Sequence, residues 1–337
     1  PWVVGSQSIS RVSTLAMIKQ VINSQDPKTL RIEYMIGNTC NHKCWYCFKG
    51  SNEGEFRWTD DFDATTKNFF HLLDHYKKYG KERFEVHIVG GEPTLWPELG
   101  KFTKLLKEKY NSWVSISTNG SRTLRWWEQY GKYFDDVMIS VHHEYADIEH
   151  LKKVADIVYK QGPVVNAMVL MDPFAWDKCI DIVKQLRTSK YRWFINAMEV
   201  MHTTIDYTPE QLKYISKPVK RFPNPLWILK KLKNLKRDPK VVLDNGKTKT
   251  VNRNWIGLNK QTNFKGWLCN IGVDNLYIDK DGRVTGACRT VLFENYNIND
   301  VDFIEKFNPV IKPKICDMNF CGCQPEQLLD KIKVVSL

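Results

Sequence analysis

Several things are missing from this 337-residue chain. No apolar run approaches the roughly 18–20 residues that a membrane helix needs, so a helical span is not expected. The segment Pro1 to Gln20 has only short apolar pieces and lacks a secretory leader profile. The chain starts at Pro1 rather than Met, and a missing or processed N-terminus is expected. There is no low-complexity tract, and no repeat beyond an alternation of strand-like and helix-like stretches. The nine cysteines are odd in number and unevenly spaced, which argues against a secreted disulfide framework. Acidic residues are also short: 38 Asp and Glu face 50 Lys and Arg, for a formal charge of +12. The plain reading is a soluble basic protein. The sharper one is an acidic partner, such as a nucleic acid or a phosphorylated substrate, although metal-bound thiolates would lower the positive charge.

With 42% hydrophobic and 26% charged residues, the composition is that of a folded globular chain. From Leu30 to Met201, runs rich in Val, Ile and aromatics read as strands: Arg31–Ile36, Phe84–Val89, Trp113–Ser117, Asp136–Val141, Val164–Leu170 and Arg192–Met198. Helical stretches lie between them: Thr65–Tyr79, Pro97–Tyr110, Leu124–Tyr130, Ile148–Lys160 and Trp176–Arg187. Such alternation predicts an α/β fold with a parallel sheet and right-handed crossovers. Six units fall short of a closed eightfold barrel, so the expected architecture is a partial (β/α)6 TIM-like barrel or an open sheet. Residues 1–29 form an N-terminal extension, and the barrel spans 30–207. Residues 208–265, with five prolines and a basic run from Lys230 to Lys240, read as a helical linker with a solvated charged face. Residues 266–330 read as a small Cys-rich β-hairpin module, with Asn275–Ile278 and Arg283–Thr285 flanking an Asp281-Gly282 turn.

The cysteines carry the chemistry. Cys40, Cys44 and Cys47 directly follow the first barrel strand, and the loops after barrel strands build active sites. Three thiolates at this spacing can grip one face of an iron–sulfur cube and leave the fourth iron without a protein ligand. An open position of that kind is what a catalytic metal offers to a small molecule. The bland alternative is a zinc site completed by His42.

Cys-x3-Cys-x-aromatic-Cys after a first strand resembles the radical S-adenosylmethionine (radical SAM) superfamily, with Tyr46 at the aromatic position. The resemblance implies that Cys40, Cys44 and Cys47 ligate a 4Fe–4S cluster. Its unique iron would take the amino and carboxylate groups of S-adenosyl-L-methionine, and the backbone at Tyr46 would lie near the adenine. An electron from the cluster would then yield a 5′-deoxyadenosyl radical. Gly90-Gly91-Glu92-Pro93, ending the second strand, is similar to the family's GGEP motif, which assigns these four residues to the cofactor and Glu92 to the methionine ammonium. Thr118 and Asn119, in Ser117-Thr118-Asn119-Gly120 after the third strand, are cofactor candidates or simple turn chemistry. Ser140 and His142 end the fourth strand on one side, near the expected ribose, and Asn166 on the fifth is a weaker candidate for the same cavity.

Five later cysteines, Cys269, Cys288, Cys316, Cys321 and Cys323, exceed by one the needs of a fully ligated 4Fe–4S cluster. Their arrangement resembles the SPASM or twitch auxiliary-cluster modules of radical SAM enzymes, which implies one auxiliary cluster on four of the five. Zinc is the alternative. Lone Cys179 reads as a buried thiol or as a hydrogen-atom donor to a substrate radical.

The expected function is a radical SAM enzyme that abstracts a substrate hydrogen atom, with a peptide, protein or small molecule as substrate and peptide or protein modification leading. The alternatives are radical modification of a nucleotide, sugar or nucleic acid and, in another class, a non-catalytic zinc-binding protein. A one-electron reductant such as flavodoxin or ferredoxin is the implied partner. The oxygen lability of an open cluster suggests a cytoplasmic setting.

Overall fold

The computed structural model describes residues 16–47, 50–55, 57–187, 194–199, 206–215, 239–251, 255–286, 296–321 and 329–334. After β1 (Ile18–Ile22) the chain alternates: β2 (Thr29–Met35), α1 (Phe62–Lys78), β3 (Arg83–Val89), α2 (Leu99–Tyr110), β4 (Trp113–Thr118), α3 (Leu124–Tyr130), β5 (Asp136–Val141), α4 (Ile148–Gln161), β6 (Val164–Met171), α5 (Trp176–Arg187), β7 (Phe194–Glu199) and α6 (Pro209–Ile215). There follow β8 (Lys240–Leu243), β9 (Thr248–Thr250), α7 (Trp255–Leu258), β10 (Trp267–Cys269), β11 (Asn275–Ile278), β12 (Val284–Thr285), α8 (Phe303–Lys306), β13 (Lys314–Ile315) and β14 (Lys331–Lys333).

Two compact units form. The larger comprises Gln25–Lys236 and Asn270–Lys314; the smaller comprises Pro1–Ser24, Arg237–Cys269 and Ile315–Leu337. In the larger unit β2 to β7 run parallel and in chain order, as the six expected units require. Among the described residues the sheet does not close on itself: β12 and β7 are its edges. It is a partial barrel.

Strand alternation separates two faces. Ile32, Val86, Ile88, Val114, Ile116 and Val169 are fully buried, while their neighbours in sequence are half-buried. The helices supply matching apolar stripes, such as Phe69, Leu72, Leu73 and Tyr76 of α1 and Leu151, Val154, Ala155 and Val158 of α4. Burying each such side chain contributes about 1.5–3 kcal/mol. Helix starts are set by side chains: Asp61 accepts from Ala64 N at 2.9 Å, and Asp147 accepts from His150 N at 3.0 Å.

Two expected segments fold differently. The supposed helical linker 208–265 contains β8 and β9, a hairpin of the smaller unit in which Val241 is fully buried and pairs with Val21 of β1. The supposed module 266–330 is divided. Its β11–β12 hairpin forms as expected, but β11 adds in parallel to β2 and extends the barrel sheet. Leu276 and Ile278 lie opposite Ile32 and Tyr34 and continue their buried row, covering what would be an open strand edge. Lys81 anchors the junction: buried like Asp274, it donates to Asp274 Oδ1 at 2.5 Å and, at the rim, to Pro27 O at 2.7 Å. The short helix α8 stays with the larger unit, while the two ends of the supposed module, up to Cys269 and from Ile315, belong to the smaller unit, whose sheet is ordered β13-β10-β14-β1-β8-β9, so that residues 16–22 of the extension are structural as well. No helix among the described residues is long and apolar enough to cross a membrane.

Candidate active site

The cysteine loop is clasped by backbone. Gly91 N donates to Gly37 O at 3.2 Å, Glu92 N to Thr39 O at 2.8 Å, and Cys47 N to Cys44 O at 3.1 Å. The approach is so close that a Cβ on Gly91 would lie 2.3 Å from Thr39 O, and one on Gly90 2.7 Å from Gly37 O. Gly90 also has φ of 151°, a conformation other residues rarely adopt. The two glycines therefore let the end of β3 press against the segment leading into Cys40. Pro93 then opens a short 3-10 turn.

Glu92 is 2% exposed. Its Oε1 accepts from Thr94 N at 3.0 Å, Thr94 Oγ1 at 2.6 Å and Thr118 Oγ1 at 2.7 Å; its Oε2 accepts from Asn119 N at 2.5 Å. Burial raises the pKa of this carboxyl above its ordinary value, and the hydrogen bonds from Thr94, Thr118 and Asn119 pull it part of the way back down. Glu92 thus braces the end of β4 against the end of β3. Asn119 carries the brace onward, donating through Nδ2 to Asn41 Oδ1 at 2.9 Å, while Asn41 Nδ2 reaches Ser121 Oγ at 2.9 Å. The sequence-expected residues Glu92, Thr118 and Asn119 form one hydrogen-bonded unit with the cysteine loop.

The three thiols are gathered. Cys40 feels the charge of Glu92 and Cys47, and Cys44 that of Glu144, Cys47 and Cys40. Burial pushes both thiols up, Cys44 to about 12. His42 N donates to Cys40 Sγ at 3.3 Å. The donor set fits a 4Fe–4S cluster: three thiols on one loop, one already receiving an N–H bond, with a fourth position left to an exogenous ligand. Among the described residues no three His, Cys, Asp or Glu side chains surround a point at single-ion spacing.

An aromatic cluster flanks the loop. Tyr46, 5% exposed, hydrogen-bonds through its hydroxyl to His142 Nδ1 at 3.1 Å and stacks on that ring at 5.8 Å. His42 stacks on Tyr145 at 4.8 Å and meets His142 edge-on at 5.9 Å. Burial first, then His42 and His143, depress His142 to about 4, so it is neutral. Trp45 Nε1 donates to Asp172 Oδ2 at 2.8 Å, fixing the loop to the end of β6.

Other expected residues stand apart. Ser140, half-buried, lies opposite Met168 on the concave side of β5. Asn166 donates to Asp136 Oδ1 at 2.8 Å, lower on the same side. Cys179 is fully buried in α5 and donates to Leu170 O at 3.4 Å. Cys269, Cys316 and Cys321 lie in the smaller unit. Cys316 exchanges backbone bonds with Gly266 and Trp267, and Cys321 N donates to Thr262 O at 2.8 Å. Cys288 and Cys323 fall outside the described residues. Sequence reasoning passed over Asn41, Thr94 and Asp172, which position the loop; for Asn41 and Thr94 the signal was their place directly after Cys40 and Pro93, and for Asp172 there was none.

A model of the Radical SAM superfamily matches residues 34–156, which hold the cysteine loop, the Gly90–Pro93 turn and the Thr118–Asn119 brace. An S-adenosylmethionine-dependent nucleotide dehydratase of Thermoplasmatales archaeon (strain ISO4-H5) is 25% identical over 169 residues, 46% of this chain and 58% of that protein. Another, from Fibrobacter sp. (strain UWH6), is 35% identical over 100 residues, 28% of each chain. The chain thus spans less than two thirds of the length of either relative. A solved structure described as native anSMEcpe with bound AdoMet aligns over 83% of this chain and 81% of its own, at 16% identity and a TM-score of 0.48. With three thiols on a braced loop at the end of the first barrel strand, residues 34–156 are the part of the chain that matches the Radical SAM superfamily.

Proposed function

We propose that the chain binds a 4Fe–4S cluster through Cys40, Cys44 and Cys47 and S-adenosyl-L-methionine beside it, and that it acts on a nucleotide. When bound, these groups supply a 5′-deoxyadenosyl radical that takes a hydrogen atom from the substrate. The residues of the chain do the rest. Glu92, Thr118 and Asn119 hold the loop against two strand ends, and the Tyr46–His142 pair fixes the aromatic wall next to it. Of Glu92, only Oε2 has acceptor capacity left, and that is the atom offered to the methionine ammonium. Tyr46, Gly90, Gly91, Pro93, Ser140 and Asn166 are assigned to the same cofactor and substrate cavity.

The single observation that carries this reading is the braced trio of thiols. The nucleotide displaces the peptide expected from sequence because both relatives described above are named nucleotide dehydratases, and because the chain is basic overall. The test is anaerobic incubation of the reconstituted full chain with S-adenosylmethionine, a reductant and the nucleoside triphosphates, alongside peptides. Mass spectrometry should find 5′-deoxyadenosine that rises with one nucleotide and with no peptide. A rise with peptides alone would reverse the assignment.

A second cluster on four of Cys269, Cys288, Cys316, Cys321 and Cys323 is a further part of the proposal. It is supported by three of these sharing the smaller unit, where Cys316 pairs with the residues just before Cys269. Eight rather than four irons per chain would support it. Zinc in place of iron there would reject it.

A further inference from the structure

Barrel interiors are ordinarily filled by branched apolar side chains in layers. The concave side of this sheet is not. By register, Arg31 and Glu33 of β2, Glu85 and His87 of β3, and Ser115 and Ser117 of β4 all share it, and each is at least partly exposed. Their alternates on the same strands are the fully buried apolar row under the helices. Polar groups placed where packing would favour hydrocarbon cost stability unless something satisfies them.

His87 lies at the centre. Its Nδ1 is 2.8 Å from Ser115 Oγ and its Nε2 3.2 Å from Ser117 Oγ, so one ring is held by two hydroxyls of the neighbouring strand. Ser117 directly precedes Thr118, the donor to Glu92, so this array joins the brace of the cysteine loop. Each serine hydroxyl can both donate and accept, and the imidazole relays between them. The cations on this face are tied to carboxylates: Arg31 to Glu85 at 3.2 Å, and Arg83 to Asp26. Glu33 adds a further carboxyl, pushed up by burial. A surface of this kind recognises hydroxyls and ring edges. Among the described residues of β2, β3 and β4 that share this face, both arginines already face carboxylates rather than a phosphate.

We infer that His87, set between Ser115 and Ser117, is the specificity-determining residue that recognises the uncharged part of the nucleotide, its sugar hydroxyls above all, while the phosphates are held elsewhere. This rests on the nucleotide reading above.

The test uses the full chain with its cluster reconstituted anaerobically. Tryptophan fluorescence would follow the binding of nucleoside triphosphates, their 2′-deoxy and 3′-deoxy counterparts, and the matching mono- and diphosphates. His87→Ala and, separately, Ser115→Ala should each weaken binding of the preferred ribonucleotide about tenfold, the scale of one lost buried hydrogen bond. Each should also erase most of the preference for ribose over its deoxy forms and leave the dependence on phosphate number intact. S-adenosylmethionine affinity, measured in parallel, reports an intact fold. Two results would overturn the inference alone: unchanged sugar discrimination in both variants, or a loss confined to the phosphate dependence. If the wild-type chain binds no nucleotide, the nucleotide reading falls and takes this inference with it.

Discussion

The cysteines early and late in the chain make an instructive pair. Cys40, Cys44 and Cys47 share one loop whose backbone is clamped by β3, and whose Asn41 is tied to the end of β4. Their thiols feel one another's charge. Cys269, Cys316 and Cys321 sit on separate elements of a different unit, two of them deep in its core. Equal numbers of described cysteines therefore have unequal standing. A ligand set is built by the scaffold that holds it, and the early trio has that scaffold within a single loop, in its neighbours' hydrogen bonds and in two glycines that leave room for it.

The largest expected effect tests that contrast directly. Cys44→Ala should reduce 5′-deoxyadenosine formation to background and remove the iron of one cluster. Cys316→Ala should leave 5′-deoxyadenosine formation measurable, whatever it does to total iron. Iron, sulfide and product assays on the two proteins side by side decide it, and equal loss of product in both would erase the distinction.

Next in size is Gly91→Ala. Its new Cβ must displace the backbone carbonyl of Thr39, which cannot swing aside like a side-chain tip. A loss of about 2–3 kcal/mol in anaerobic denaturation is expected, together with poor iron retention. Wild-type stability with full iron would show that the clasp yields.

Glu92→Gln is a milder probe of the same brace. The amide keeps one acceptor but sets N–H groups against Thr94, Thr118 or Asn119, all donors to this carboxylate. The expected cost is about 1–3 kcal/mol, with weaker S-adenosylmethionine binding by calorimetry. Since Asn119 leads on to Asn41, some loss of cluster occupancy should accompany it.

The smallest effect concerns pH. His142 is held at about 4 against an ordinary value of 6.5. Above 6.5 both folded and unfolded chains carry it neutral. Between 6.5 and 4 the unfolded chain takes up a proton that the folded one refuses, so stability falls as pH is lowered through that window. His142→Gln should flatten that part of the pH–stability curve. A curve of unchanged slope would assign the acid limb to other groups.

Much of the larger unit was legible from residue order. The five barrel helices and the barrel strands are found where expected to within a few residues, because each repeats an apolar period that its own burial demands. Leu124–Tyr130 and Trp176–Arg187 match end to end. In the candidate site, the resemblance pointed to Cys40, Cys44, Cys47, Glu92, Thr118 and Asn119, and the structure joins Glu92, Thr118 and Asn119 to the cysteine loop by hydrogen bonds. Strands β8, β9, β10 and β13 were not, since two to four residues carry too little periodicity, and β8 and β10 pair with β1 and β14, far away in the chain. The union of β11 with β2 was hidden for the same reason.

Order along the chain by itself determined the α/β alternation and the close spacing of the early thiols, since helix and strand periods and a short loop spacing are local properties. Only the tertiary structure decided that Glu92 props the cysteine loop, that residues 266–330 divide between two units, and that His87 meets two serines on the concave face. Those facts depend on strand register, which brings together residues dozens or hundreds of positions apart and leaves no trace in any one segment.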